Sequence, residues 1–126
     1  MKAATREWVK KAESDYQLAA SLMRRRKTPV YDHACFHFQQ AGEKYLKAWL
    51  EEARIRFPKS HDLHILLQLA IPREPLWSAL VPSAQNLTRY AVKFRYPGNE
   101  AIAAEMKNAY QDARAIRHEV RAAFGM

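Results

Sequence analysis

The sequence predicts an all-α protein, an up-and-down antiparallel bundle of four long helices plus a short fifth helix. Three observations predict it. The 126 residues include only three glycines, and β-branched residues are few, which disfavours strands. Apolar residues recur at three- and four-residue spacings through most of the chain. The prolines cluster between those periodic stretches, where helices stop and start.

The first helix is expected over residues 5–26, with Thr5 as N-cap and an incomplete capping box, because Trp8 occupies N3. Trp8, Ala12, Tyr16, Ala19, Leu22 and Met23 form its apolar stripe. Asp15 borders that stripe and reads as a carboxylate bonded to a lysine or a backbone group, with a site role as the alternative. Arg24 to Lys27 place four consecutive cations at the helix end, where they complement the dipole and attract anions. Pro29 then separates this helix from the next, and a loop this short makes the two antiparallel neighbours.

The second helix, residues 31–53, is the organising element. Ala34, Phe38, Ala41, Tyr45 and Ala48 form one stripe, and Cys35, Gly42, Leu46, Trp49 and Ala53 form another beside it. Together they span about half the circumference, wider than the ~100° of a surface helix, so this helix belongs at the centre. Gly42, in mid-helix, costs about 1 kcal/mol against alanine, and close approach of another helix backbone is the expected compensation. Gln39 points into the apolar arc and needs hydrogen-bond partners. His33, Gln40, Glu43, Lys44, Lys47 and Glu51 make the polar side, with Glu43–Lys47 as an i,i+4 pair. Cys35 reads as a small core residue.

Pro58 ends that stretch. Asp62 or Ser60 caps a third helix over 62–70, with Leu63, Leu66, Leu67 and Ala70 inward. Pro75 opens a short turn carrying Leu76, Trp77 and Leu80. Ser83 is the expected cap of a helix over 84–94, with Leu87, Tyr90, Ala91 and Phe94 inward. Pro97–Gly98 marks a turn. The last helix is expected over 100–124 with Asn99 as cap. Ile102, Met106, Ala109, Ala113, Ile116, Val120 and Ala123 form a heptad-like seam on it.

Residues 1–126 form one domain, long enough to bury about two-thirds of the unfolded surface. No apolar run approaches the ~20 residues of a membrane span. The first residues lack the apolar core of a secretory signal, and a single cysteine excludes an internal disulfide. A reducing cytoplasmic setting is the expectation. The net charge of +8, from 21 Lys+Arg against 13 Asp+Glu, favours an acidic partner: RNA, DNA, a nucleotide or an acidic protein.

Four motifs follow one another: Trp8…Asp15–Tyr16, then CFHFQQAGEKYLKAWL over 35–50, HDLHILL over 61–67, and Arg95–Tyr96–Pro97. In this order and spacing, from Trp8 to about Val120, the chain resembles the HEPN domain family of small helical prokaryotic proteins. Compact members are often encoded beside a minimal nucleotidyltransferase. The resemblance therefore implies a nucleotide- or RNA-binding module, a homodimer, and a partner of such an enzyme in a two-component, toxin–antitoxin-like system. Ribonuclease members carry an arginine, four to six residues, then a histidine, paired across a dimer. This chain departs from that pattern. Arg114 and His118 have three residues between them and no polar residue after the arginine.

The residues themselves point to the last helix. Lys107, Tyr110, Arg114, Arg117, His118 and Arg121 fall within about 100° of one another by helical angle. Arginine grips phosphate with two bonds, and tyrosine stacks on a base. A solvated basic face, or arginines paired with Glu43 or Glu51, is the structural alternative. Arg95 beside the turn is expected to grip phosphate and Tyr96 to stack or orient, with His61, Arg117 and Arg121 as further anion contacts. His118, with Arg114, supplies the acid/base and cation of a metal-independent ribonuclease if the chain is one. A purely structural dimerisation partner is the third reading. No Cys/His cluster has metal spacing and no glycine-rich phosphate loop is present, so neither metal nor cofactor is expected.

Overall fold

The computed structural model describes residues 1–27, 30–94 and 97–126. Among the described residues there are five α-helices: α1 (Ala3–Met23), α2 (Tyr31–Glu52), α3 (Leu63–Ala70), α4 (Val81–Thr88) and α5 (Ala103–Ala123). No strand occurs among the described residues, and the all-α bundle is borne out. Three helices are long. The fourth rod is built in pieces: a 3-10 turn at Pro75–Leu80, then α4, then a 3-10 turn at Arg89–Ala91. Helix α3 is the short fifth. Pro29, expected to separate the first two helices, lies outside the described residues.

Side-chain pairs give the directions. Thr5 meets Glu52 and Asp15 meets Lys44, so α1 and α2 are antiparallel. Asn86 meets Asp112 and Lys93 meets Glu105, so the rod containing α4 runs against α5. Arg117 meets Glu13 and Tyr110 meets Tyr16, so α5 also runs against α1. The order is up, down, up, down, with α2 and α5 parallel across the middle.

The wide apolar arc of α2 does what its width demands. It contacts α1, α3, α4 and α5, and Phe38, Tyr45, Leu46 and Leu50 are fully buried. Cys35 lies in the core, where burial first, then the Glu105 and Asp32 charges, push its thiol up to about 12. The notch at Gly42 is filled by side chains, not by a helix backbone as expected. A Cβ there would stand 2.9 Å from Leu63 Cδ2 and 3.1 Å from Leu87 Cδ1.

Packing against four helices also overturns the reading of Glu43 and Lys47 as a surface pair. Both are buried. Lys47 Nζ donates to Glu43 Oε2 at 2.9 Å and lies 5.6 Å from the Trp8 ring centroid. Gln39 Nε2 donates to Glu43 Oε1 and to the His61 carbonyl, both at 3.1 Å. A buried charge pair needs further partners to persist: Glu43 Oε1 has Gln39 Nε2 and His61 Nδ1, and Lys47 has the Trp8 ring.

Helix starts differ from expectation at three places, and two helices stop short: α1 at Met23, so that Arg24 to Lys27 follow the helix instead of ending it, and α4 at Thr88, before the expected Phe94. Thr5 is inside α1, not its cap; fully buried, it donates from Oγ1 to Glu52 Oε1 at 2.9 Å. Ser83 is inside α4, because Pro82 in the first turn, with its fixed φ, starts that helix earlier. Helix α5 begins three residues later than expected, with Ile102 at its cap and Glu105 Oε1 accepting from Ile102 N–H at 3.2 Å. Ile102 is therefore exposed, and so is Ala123 at the far end; the seam between them, Met106 to Val120, is buried. Asp62 caps α3 as expected, accepting from His64 N–H and Ile65 N–H.

Gly42→Val should lower stability by about 2–3 kcal/mol, because its branch meets Leu63 and Leu87 in a filled core. Gly42→Ala should stay within about 1 kcal/mol of wild type, since higher helix propensity offsets the repacking. Urea denaturation followed by circular dichroism checks both.

Candidate nucleic-acid interface

The structure divides the basic flank of α5 into two lines. The first is turned inward against α1 and α2. Arg117 grips Glu13 with two bonds, Nε to Oε1 at 2.7 Å and Nη2 to Oε2 at 2.8 Å. Its guanidinium carbon lies 4.6 Å from the Tyr16 ring centroid. Tyr45 Oη donates to Glu13 Oε1 at 2.5 Å, and Arg121 Nη1 donates to Tyr45 Oη at 3.4 Å. Tyr110 stacks on Tyr16 and meets Phe38 edge-on. This clasp joins three helices.

Burial by itself would raise the Glu13 carboxyl. The hydrogen bonds from Arg117, Tyr45 and Gln17, with the Arg117 charge, overcome it and lower the group to about 2. Glu13 in turn raises Arg117 further above the ordinary arginine range. Arginine pairing was expected on Glu43 or Glu51; the partner is instead Glu13, a residue that the sequence did not single out. Its only local signal is Gln17 one turn on, bonded to it at 2.9 Å.

The second line faces solvent. Lys107, Gln111, Arg114 and His118 are all exposed and step by 4, 3 and 4, which keeps them on one ridge of the helix. Arg114 and His118 line a groove of about 590 Å³ together with Gln111, Ala115, Glu119 and Leu80, and Arg117, though paired with Glu13, reaches its edge. Arginine and histidine one turn apart on a solvent-facing ridge can present two cationic or hydrogen-bonding groups to successive phosphates.

The remaining predicted residues do not gather on this ridge. His61 stands on the α2–α3 loop with its ring largely exposed and its Nδ1 2.9 Å from Glu43 Oε1; it does not line the α5 groove. Arg95 and Tyr96 lie outside the described residues. Asp15 accepts from Lys44 Nζ at 2.5 Å and lies 3.0 Å from His37 Nδ1, which is the structural reading of that carboxylate. Among the described residues, no group of three or more His, Cys, Asp or Glu side chains could hold a metal ion, and no helix is long and apolar enough to cross a membrane.

Comparison with known proteins agrees with the architecture. The model of the HEPN domain family matches residues 5–123. A crystal structure of the protein TT1696 from Thermus thermophilus superposes with a TM-score of 0.80 at 23% identity, covering 96% of this chain and 98% of that one. At that identity the likeness speaks for the fold. No curated protein sequence matches the chain.

Glu13→Gln should cost about 1–2 kcal/mol at neutral pH, because a partly exposed bidentate charge pair becomes a neutral one. Glu13 has a lowered folded pKa, so its contribution is fully present above the unfolded value. It is lost as pH falls from about 4.5 towards about 2. Denaturation of both proteins as a function of pH should show the difference shrinking across that window.

Proposed function

We propose that this chain, which belongs to the HEPN domain family, is an RNA- or nucleotide-binding module. Its principal anion surface is the outer ridge of α5. The observation that carries the reading is the division of the basic flank. Arg117 is held by Glu13, whereas Arg114 and His118 stand exposed one turn apart on an open groove. Lys107 extends the ridge. A net charge of +8 supplies the long-range attraction that brings a polyanion to it. Arg95 and Tyr96, beside the Pro97–Gly98 turn, belong to the proposal as a phosphate grip and a stacking contact. Arg117 belongs to it at the edge of the groove, and His61 and Arg121 as outlying groups.

The resemblance to compact family members supports a role beside a minimal nucleotidyltransferase in a toxin–antitoxin-like pair, with the chain acting as a homodimer. A second reading, a metal-independent ribonuclease, rests on the same two side chains. His118 would shuttle the proton and Arg114 would neutralise the charge that develops on phosphorus. Three intervening residues put both on one ridge of one helix, so they reach one phosphate together only if it lies along that ridge.

Labelled single-stranded RNA titrated at low salt should bind saturably, and affinity should fall with added salt. Arg114→Glu should weaken binding about tenfold or more, by loss of one phosphate contact and addition of a repulsive charge. A flat titration of the wild type would end the binding reading. RNA recovered from the same mixtures should be intact. Cleavage that disappears in His118→Ala would replace the binding reading with the enzymatic one. Co-purification with a nucleotidyltransferase that is indifferent to Arg114→Glu, without RNA binding, would leave a structural partner only.

A further inference from the structure

A second concave surface lies at the end of the bundle where α1 stops and α2 and α5 begin. Two adjoining cavities, of about 480 and 280 Å³, share Asp32 and His33. The smaller has an aromatic and apolar wall: Phe36, Tyr90, Ala91 and Phe94. Tyr90 and Phe94 stack, with centroids 5.4 Å apart and planes 17° from parallel. The larger is edged by Tyr31, Glu100 and Ala101.

Asp32 is held in place at the junction. Its Oδ1 accepts from Ala101 N–H at 2.6 Å. No buried side-chain oxygen or nitrogen lacks a partner among the described residues, so the second oxygen, Oδ2, is reachable from solvent. A fixed carboxylate oxygen beside an aromatic wall accepts hydrogen bonds and donates none.

Charge decides which ligand fits. Asp32 and Glu100 both line the concavity, and like charge keeps phosphate out of it. An organic cation meets the opposite obstacle. Arg89 already lies over the Tyr90 ring, 6.0 Å from its centroid, and Lys93 over the Phe94 ring at 5.2 Å. A neutral flat ring with an N–H₂ edge is repelled by neither set of charges: the ring packs on half-buried Phe36, the part of the wall that no cation covers, and the amine donates to Asp32 Oδ2. Unpaired bases are taken up in this way, by stacking on aromatic side chains and hydrogen bonding on their edges.

We infer that this cleft is a subsite for an unpaired nucleobase bearing an exocyclic amine, cytosine or adenine, with Asp32 as the selecting acceptor and His33 at the mouth. Sugar and phosphate remain outside, where exposed Arg89 lies over the Tyr90 ring. The cleft shares no lining residue with the α5 groove, and the inference does not rest on the reading of that groove.

The test uses nucleosides, which carry no phosphate, so its result is separate from the RNA titration. Cytidine and uridine are added to the ¹⁵N-labelled full chain and amide shifts are followed. Cytidine should move the amides of residues 32–36 and 89–94, and uridine should bind about tenfold more weakly, because its carbonyl faces the carboxylate. Asp32→Asn can retain the bond from Ala101 N–H while presenting an N–H₂ to the cleft, so it should reverse the preference towards uridine. Phe36→Ala should weaken cytidine about tenfold. Equal affinity for the two nucleosides in the wild type, or no shift at residues 32–36 with either at millimolar concentration, overturns the inference. The wild-type comparison decides even if the Asp32 variant does not fold.

Discussion

The constraint on which the structure depends is the enclosure of one helix by all the others. Helix α2 is apolar over half its surface, and it lies against α1, α3, α4 and α5. Such a helix cannot leave all of its polar side in water: His33 stays exposed and Gln40, Lys44 and Glu51 half-buried, but the rest is covered. Glu43 and Lys47 are therefore carried inside with Gln39, and each finds a partner within hydrogen-bond distance. His61 closes the group from the α2–α3 loop. The polar group thus ties that loop to the central helix at the point where Leu63 enters the notch beside Gly42. Packing and polar satisfaction are one problem here, because a misplaced loop would strand the Glu43 charge.

A second tie closes the bundle on the other side. Glu13 on α1, Tyr45 on α2 and Arg117 on α5 form a clasp over stacked Tyr16 and Tyr110. Its consequence reaches beyond stability. By taking Arg117 and drawing Arg121 towards Tyr45, it engages two cations of the α5 flank, both half-buried, and leaves Arg117 only at the edge of the outer groove. What is left facing solvent is a narrower line with Arg114 and His118 at its centre. The electrostatic surface of the protein is therefore set partly by which arginines the core has claimed.

The fold class was legible in the sequence, as were the position of α2 and the cap at Asp62. These follow from local rules, such as apolar periodicity, proline placement and side-chain capping, that act within a few residues of each position. The helix starts of α4 and α5 were less legible, since Ser83 and Asn99 are good caps that the chain does not use. Pro82 competes at the first, and at the second Glu105 reaches back to Ile102 N–H. For the candidate site, the sequence offered six residues of the last helix as one flank, which the structure divides into an inward and an outward line.

The sequence by itself determined that this is a helical bundle around residues 31–52, strongly basic overall, with basic residues sharing one flank of the last helix. Only the tertiary structure decided that Glu43 and Lys47 are interior, that Gly42 receives side chains, and that Arg117 belongs to Glu13. Those outcomes depend on contacts between residues far apart in the chain, 104 positions for Glu13 and Arg117. The periodicity of a single helix says which residues share a face; it does not say which neighbour that face will meet.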